Sequence, residues 1–376
     1  MHILIAPNAF KNSLPATAAA EAILAGLKQS RLRFSHECFP IGDGGNGTAE
    51  LLIRNQRGRM ISGIAHDPLG RKIRASFGLI REDRTAVIEM ADAAGLQFLK
   101  QDELDPLKTS SSGCGEMIRQ ALDQGVRKII LGMGGSATVD GGTGILRALG
   151  IRFLDACGNE LPDRPESLIN LDAIDLSGMD KRILEAELII LCDVNNPLLG
   201  SQGAAAVFGP QKGATKEGVK KLEAALTKFQ ELTLRQTGKE IASLRSGGTA
   251  GGAAAGLHAF LNARLVSGIE YFLELTGFDE ALRKAGLLIT GEGAIDEQTL
   301  QGKAPFGVAS RAKERNLPVI ALAGKVPLEK SAALDQYFDV LLAIGNEPAD
   351  LTSAMKETTE NLTRISKSIG NLLALP

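Results

Sequence analysis

The sequence predicts an α/β protein of two domains: a discontinuous domain built on a parallel sheet, with a mixed α/β domain inserted into it. Three observations carry that expectation. At 376 residues, the chain exceeds what one ordinary hydrophobic core spans. Continuous apolar runs separated by helical patterns, such as 286–290, 318–323 and 339–344, read as strands of a parallel sheet covered on both faces. Between them, 58–90 and 150–162 alternate around turn signals, as antiparallel strands do. Because the two textures interleave, the boundaries are expected at 1–62, 108–138 and 284–376 for the discontinuous domain and at 63–107 and 139–283 for the inserted one. A cleft between two such domains is the natural ligand site.

In chain order, residues 1–6 form a strand that leads through a loop into a helix over about 15–29, with Ser13 suited to cap it. Residues 58–90 hold antiparallel strands turning at DPLGR (67–71) and REDR (81–84). A helix over 116–124 precedes a buried strand at 128–131. GIRFLDACGNELP (150–162) reads as a hairpin turning near Gly158 and Asn159. Residues 188–191 add a strand, and 216–238 a long amphipathic helix.

Composition removes several function classes. Hydrophobic residues make up 44%, charged residues 23%, and the net charge is −2, which leaves no electrostatic footprint for nucleic acid or an anionic membrane. Aromatics are 4% and Trp is absent, against a base-stacking platform. Cys38, Cys114, Cys157 and Cys192 form no CxxC pair and read as reduced thiols rather than a disulfide framework or a zinc site. His2, His36, His66 and His258 lack metal-ligand spacing, which argues against a zinc hydrolase or a His-centred triad. The opening MHILIAPNAF has no cationic n-region and its apolar run stops at Pro7, so it is a strand and not a signal peptide. With no apolar run of bilayer length, a cytoplasmic protein is expected.

The pattern that bears chemistry is a set of glycine-rich loops. In LGMGGSATVDGGTG (131–144), Gly132 to Ala137 fits a dinucleotide fingerprint, with Asp155 about twenty residues on as a ribose-binding acid. Yet the glycines continue where that fingerprint opens a helix, and Asp155 sits in a hairpin turn. A phosphate cradle is the alternative, with backbone N–H groups at Gly134 and Gly135 and hydroxyls from Ser136 and Thr138. A plain packing turn is the third. IGDGGNGT (41–48), RSGGTAGG (245–252) and TGEGAID (290–296) repeat the combination, and recurrence favours the walls of one polyanion site. Walker A and protein-kinase signatures are absent.

Asp193 comes directly off an apolar run in LIILCDVNNPLLG. It suits a general base, a Mg²⁺ ligand or an Asx-turn that merely starts the loop. Asp43 and Asp296 carry the same ambiguity, and Asp296 could cap the helix after it. Lys11, Lys212 and Lys303 lie in turns of small residues, where point charges can meet the oxygens of a transferring phosphoryl group. Serines 110–112 precede a predicted helix N-terminus, an anion site or a plain cap.

Taken together, APNAFKNSL, IGDGGNGT, HDPLGR, GMGGSATVDGGTGILRALG, CDVNNPLLG, GAAAVFGPQKGA, GGTAGGAAAGL and LLITGEGAIDEQTLQGKAP, in that order from residue 3 to about residue 325, resemble the glycerate kinase family of bacterial glyoxylate and sugar-acid pathways. The resemblance implies a Rossmann-like three-layer domain with the inserted mixed domain and an active site in the cleft between them. It implies ATP and Mg²⁺, a small-molecule acceptor (D-glycerate, commonly phosphorylated at the 2-hydroxyl), no nucleic-acid or membrane partner, and room for a homodimer. Its pattern maps onto Lys11, Asp43, Ser136, Asp140, Asp193, Lys212, Glu292, Asp296 and Lys303.

Of these, Lys11, Asp193 and Asp296 are expected to act on the reaction, one aspartate preparing the hydroxyl and the other holding Mg²⁺. The rest, with Gly44, Gly45, Gly134 and Gly135, are expected to bind substrate or phosphate. The chain departs from the family pattern at Asn8, Ala9 and Asn12 (PNAFKNS for PDSFKGS), at Asn46 for Glu, at Val139 for Asn and at Ala294 for Arg. Those departures leave room for another small hydroxy acid, or for a nucleotide-binding relative without turnover.

Overall fold

The strands are β1 (His2–Ile5), β2 (Ser35–Cys38), β3 (Arg59–His66), β4 (Lys72–Ile80), β5 (Thr85–Glu89), β6 (Lys128–Gly132), β7 (Arg152–Leu154), β8 (Ala173–Asp175), β9 (Glu187–Cys192), β10 (Arg264–Ser267), β11 (Leu287–Ala294), β12 (Val319–Lys325) and β13 (Val340–Ala343). Runs of buried β-branched and leucine residues set the central ones, β1, β5, β6, β9, β11 and β12. The computed structural model describes residues 1–376 apart from Lys330, with Gln301 through its backbone only. The chain forms two compact units, Met1–Asp43 with Ile269–Pro376, and Gly44–Gly268. Among the described residues no helix is long and apolar enough to cross a membrane.

The first unit is built on a five-stranded sheet in the order β13-β12-β11-β1-β2, with every pair parallel. Ile3, Ile5, Leu287, Ile289 and Leu322 pack with the apolar faces of helices Ala16–Lys28 and Thr358–Leu373. From β1 the chain moves to β2 on one side, whereas β11 continues to β12 and β13 on the other. The strand order therefore reverses between β1 and β11, and the crevice outside their carboxyl ends is where open α/β sheets bind ligands.

The second unit carries a six-stranded sheet, β10-β9-β6-β5-β4-β3. Its β10, β9, β6 and β5 are parallel, and β4 and β3 return antiparallel. The long helix Lys216–Thr237 starts where the Thr215 hydroxyl accepts the Gly218 amide, and it stops at Gly238, whose φ of +71° a side chain resists.

The mixed α/β class with a discontinuous parallel unit is as expected, but four details differ. Residues 44–62 and 108–138 lie in the second unit and 269–283 in the first, because β6 is flanked by β5 and β9 in register (Val87↔Ile130, Ile130↔Ile189). Helix Ser112–Asp123 begins earlier than 116. Ser13 does not cap the first helix: Pro15 holds that position, and the Ser13 hydroxyl donates to the Met355 carbonyl at 2.6 Å. In 150–162 the hairpin forms only as one antiparallel bridge, Leu154↔Glu160, with Leu161 N–H on the Phe153 carbonyl at 2.9 Å, and the ladder partner of β7 is β8. There the Asp155 carboxylate accepts the amides of Cys157 and Asn159 at 2.9 Å each, a turn role and not a ribose-binding one.

Candidate active site

In the first unit, β1 runs into a loop whose Asn8 amide N–H donates to the Gly291 carbonyl of β11 at 2.8 Å. The Asn8 side-chain oxygen accepts the Ala9 amide at 2.8 Å, which orients its NH₂ toward Asp43 Oδ2 at 2.9 Å. Asp43 follows β2, and Glu292 lies near the end of β11, buried, with Thr299 Oγ1 donating to it at 3.1 Å. Burial pushes the Glu292 carboxyl up to about 7; Lys303 pulls it down, while Asp43 and Asp296 push it further up. All three thus bear on Glu292 near the carboxyl ends of β1, β2 and β11, the reversal point of this sheet.

Asp296 starts the short helical turn Glu297–Gln301, and its side chain accepts the Gln298 amide at 2.9 Å, so it does cap. Lys303 sits at the start of helix Ala304–Lys313. Lys11 is exposed, as is Ala294 at the end of β11.

In the second unit, three glycine-rich loops meet. Gly134 N–H donates to the Gly44 carbonyl at 3.1 Å. A Cβ on Gly134 would stand 2.5 Å from the Gly45 Cα, and one on Gly135 would strike the Asn46 side chain. Glycine here serves a backbone-to-backbone approach of segments 44–46 and 132–136. The 245–252 loop joins them through Gly141 N–H to the Gly251 carbonyl at 3.0 Å. The TGEGAID loop belongs to the first unit.

Behind these loops lies a buried polar layer. Lys212 is almost inaccessible, and its ammonium donates to Ser136 Oγ at 2.9 Å and to the Thr138 carbonyl at 2.7 Å. Burial pushes its amine down to about 7, and the Asp140 carboxylate opposes that. Asp140 is itself buried and accepts four donors: Ser111 N and Oγ at 3.0 and 2.6 Å, Gly142 N at 2.9 Å and Gly144 N at 3.2 Å. Its carboxylate is spent on shaping the turn before helix Thr143–Ala148.

Ser110 and Ser111 likewise bond Asp163 and Asp140, so the serine run ties the chain together. Asp193 emerges half-buried immediately after β9. Val139 is fully buried in the hydrophobic core.

The residue that sequence reasoning missed is Glu89, the last of β5. It is buried, and its two oxygens accept the backbone amides of Gly47 at 3.1 Å and Ala49 at 2.7 Å. The criterion that singled out Asp193, an acid ending an apolar run, applies equally to TAVIE (85–89).

A family model described as the glycerate kinase family matches residues 3–374. The chain is 41% identical over 375 residues to a glycerate kinase of Bacillus subtilis, covering 100% of this chain and 98% of the relative. It is 40% identical over 379 residues to a glycerate 2-kinase of Escherichia coli, covering 100% and 98%. A crystal structure described as glycerate kinase 2 from Salmonella typhimurium LT2 superposes with a TM-score of 0.83 at 42% identity, covering 99% of this chain and 98% of that one.

Proposed function

The chain belongs to the glycerate kinase family, and on that premise we propose that it transfers the γ-phosphoryl group of ATP, with Mg²⁺, to the 2-hydroxyl of D-glycerate. What supports this reading is the buried Glu292 carboxyl, bonded by Thr299 and felt by Asp43, Asp296 and Lys303, beside the Asn8–Asp43 hydrogen bond at the reversal point of a parallel sheet. Phosphoryl transfer asks a protein mainly for positioning and for charges facing the transferring oxygens.

When bound, MgATP supplies the electrophilic phosphorus and part of the countercharge. Among the described residues no three acidic, histidine or cysteine side chains cluster to hold a metal ion, so Mg²⁺ would take a single carboxylate here, beside substrate phosphates and water, as it often does. Asp193 or Asp296 accepts the proton of the substrate hydroxyl, and the other contributes to the ion's shell. Lys11 and Lys303 face the transferring group as point charges. Segments 44–46 and 134–136 pack backbone to backbone, with the Gly44 and Gly134 amides already bonded to Thr48 Oγ1 and the Gly44 carbonyl. They form the wall that faces the phosphates, the Ser136 hydroxyl among its groups, and Lys212 and Asp140 are bonded within the same unit.

The test is the purified protein with MgATP and a panel of hydroxy acids, read as ADP release. D-glycerate is expected to support turnover. Turnover on another acid alone moves the substrate, and a flat trace on all of them rejects the reading.

A further inference from the structure

We propose that Glu89 is a positioning residue of this site: by accepting the Gly47 and Ala49 amides it holds the 44–48 segment in the shape that lines the phosphates. The inference rests on the phosphoryl-transfer reading.

Segment 44–48 is costly to order. Gly44 and Gly47 sit at φ of +95° and +87°, and glycine loses more conformational freedom on folding than any other residue. Its beginning is held by Gly134 N–H on the Gly44 carbonyl and by Gly44 N–H on Thr48 Oγ1, each at 3.1 Å. Its end is the start of helix Thr48–Asn55, where the first amides have no partner within the helix and Gly47 offers no capping side chain. Glu89 reaches across from β5 and supplies both acceptors, one oxygen to each amide. A substrate phosphate therefore cannot use those two amides, nor the Gly44 amide that bonds Thr48 Oγ1.

A buried acid at the end of an apolar strand is expensive unless its oxygens are bonded, and here the amides bond both. Among the described residues no cation offsets the charge: the charged groups that bear on it are Asp92, from the short helix Ala91–Ala94, and Glu50, from helix Thr48–Asn55. Burial with these two acids pushes the Glu89 carboxyl up to about 7, although the two amides lower it. Protonation turns one acceptor into a hydroxyl and loosens the tie.

Glu89→Gln preserves shape but must point an NH₂ at one of the two amides. The expected result is loss of hydrogen-exchange protection confined to 44–50, with kcat/KM for D-glycerate lowered about tenfold or more, the scale of one hydrogen bond to a charged group. In the unmodified protein, protection of the same segment, corrected for intrinsic exchange, is expected to fall as pH drops through about 7. That arm needs no variant and stands even if E89Q fails to fold. Unchanged protection in E89Q overturns the inference, as does lost protection with unchanged kcat/KM, which would make Glu89 a helix cap only. Absence of turnover in the unmodified protein overturns the parent reading and this one with it. Turnover that E89Q leaves untouched overturns this one alone.

Discussion

Replacing Lys212 with Met should flatten the pH dependence of stability just above neutrality. The amine is nearly inaccessible, and burial lowers it from its ordinary 10.5 to about 7. Between those values the unfolded chain holds a proton that the folded chain has released, so stability rises with pH. The gain is complete above the unfolded value and is lost as pH falls through about 7. A displacement of this size corresponds to something on the order of 4–5 kcal/mol in all, with a slope of at most about 1.4 kcal/mol per pH unit.

Met matches the length of the lysine stem but does not titrate, and it leaves Ser136 Oγ and the Thr138 carbonyl without their donor, at about 1–3 kcal/mol each. The absolute stability of K212M is thus a balance, whereas its pH slope is not. Urea unfolding of both proteins at about pH 7 and pH 8 should show the native protein gaining roughly 1 kcal/mol relative to K212M. The buried thiols Cys114 and Cys192, pushed up by burial, oppose the trend at higher pH, but they are common to both proteins and cancel in the difference. Parallel pH curves would refute the reasoning.

Asp193→Asn is expected to lower kcat by roughly 10²–10⁴ if Asp193 takes the substrate proton, and near-native steady-state turnover removes it from the mechanism. Gly134→Ala places a Cβ 2.5 Å from the Gly45 Cα and should cost above about 2 kcal/mol through overpacking. Gly47→Ala meets nothing within 4 Å at φ +87° and should cost only about 1–2 kcal/mol of backbone strain. Equal losses in thermal midpoint for the two would contradict this reading of the loops.

Much of the fold was legible because burial imposes a period. β1 and β13 lie within the apolar runs expected of a parallel sheet, β11 and β12 start in theirs and run on past 290 and 323, and Thr215 and Gly238 bound the long helix as cap chemistry dictates. What a run of apolar residues does not encode is its neighbour: KIIL (128–131) is as suitable for one sheet as for the other, and only the pairing of β6 with β5 and β9 decided it.

The site divides along a similar line. Asp43, Glu292, Asp296 and Lys303 come together in the first unit, as acids and a lysine beside strand ends would. The glycines of GMGG were ambiguous because a missing side chain admits a phosphate or another backbone equally well, and at Gly134 and Gly135 the structure has backbone and Asn46 there. Asp140 and Lys212 had the residue types of a working site, yet they are engaged in the layer behind it. That distinction depends on burial and partners, which spacing does not carry.

The central claim is phosphoryl transfer from ATP to glycerate, and phosphorus NMR of the products tests it most directly. With MgATP and D-glycerate, the expected spectrum gains ADP and 2-phosphoglycerate in equal amounts. A spectrum that keeps ATP intact, or that yields ADP with inorganic phosphate and no phosphoglycerate, contradicts it.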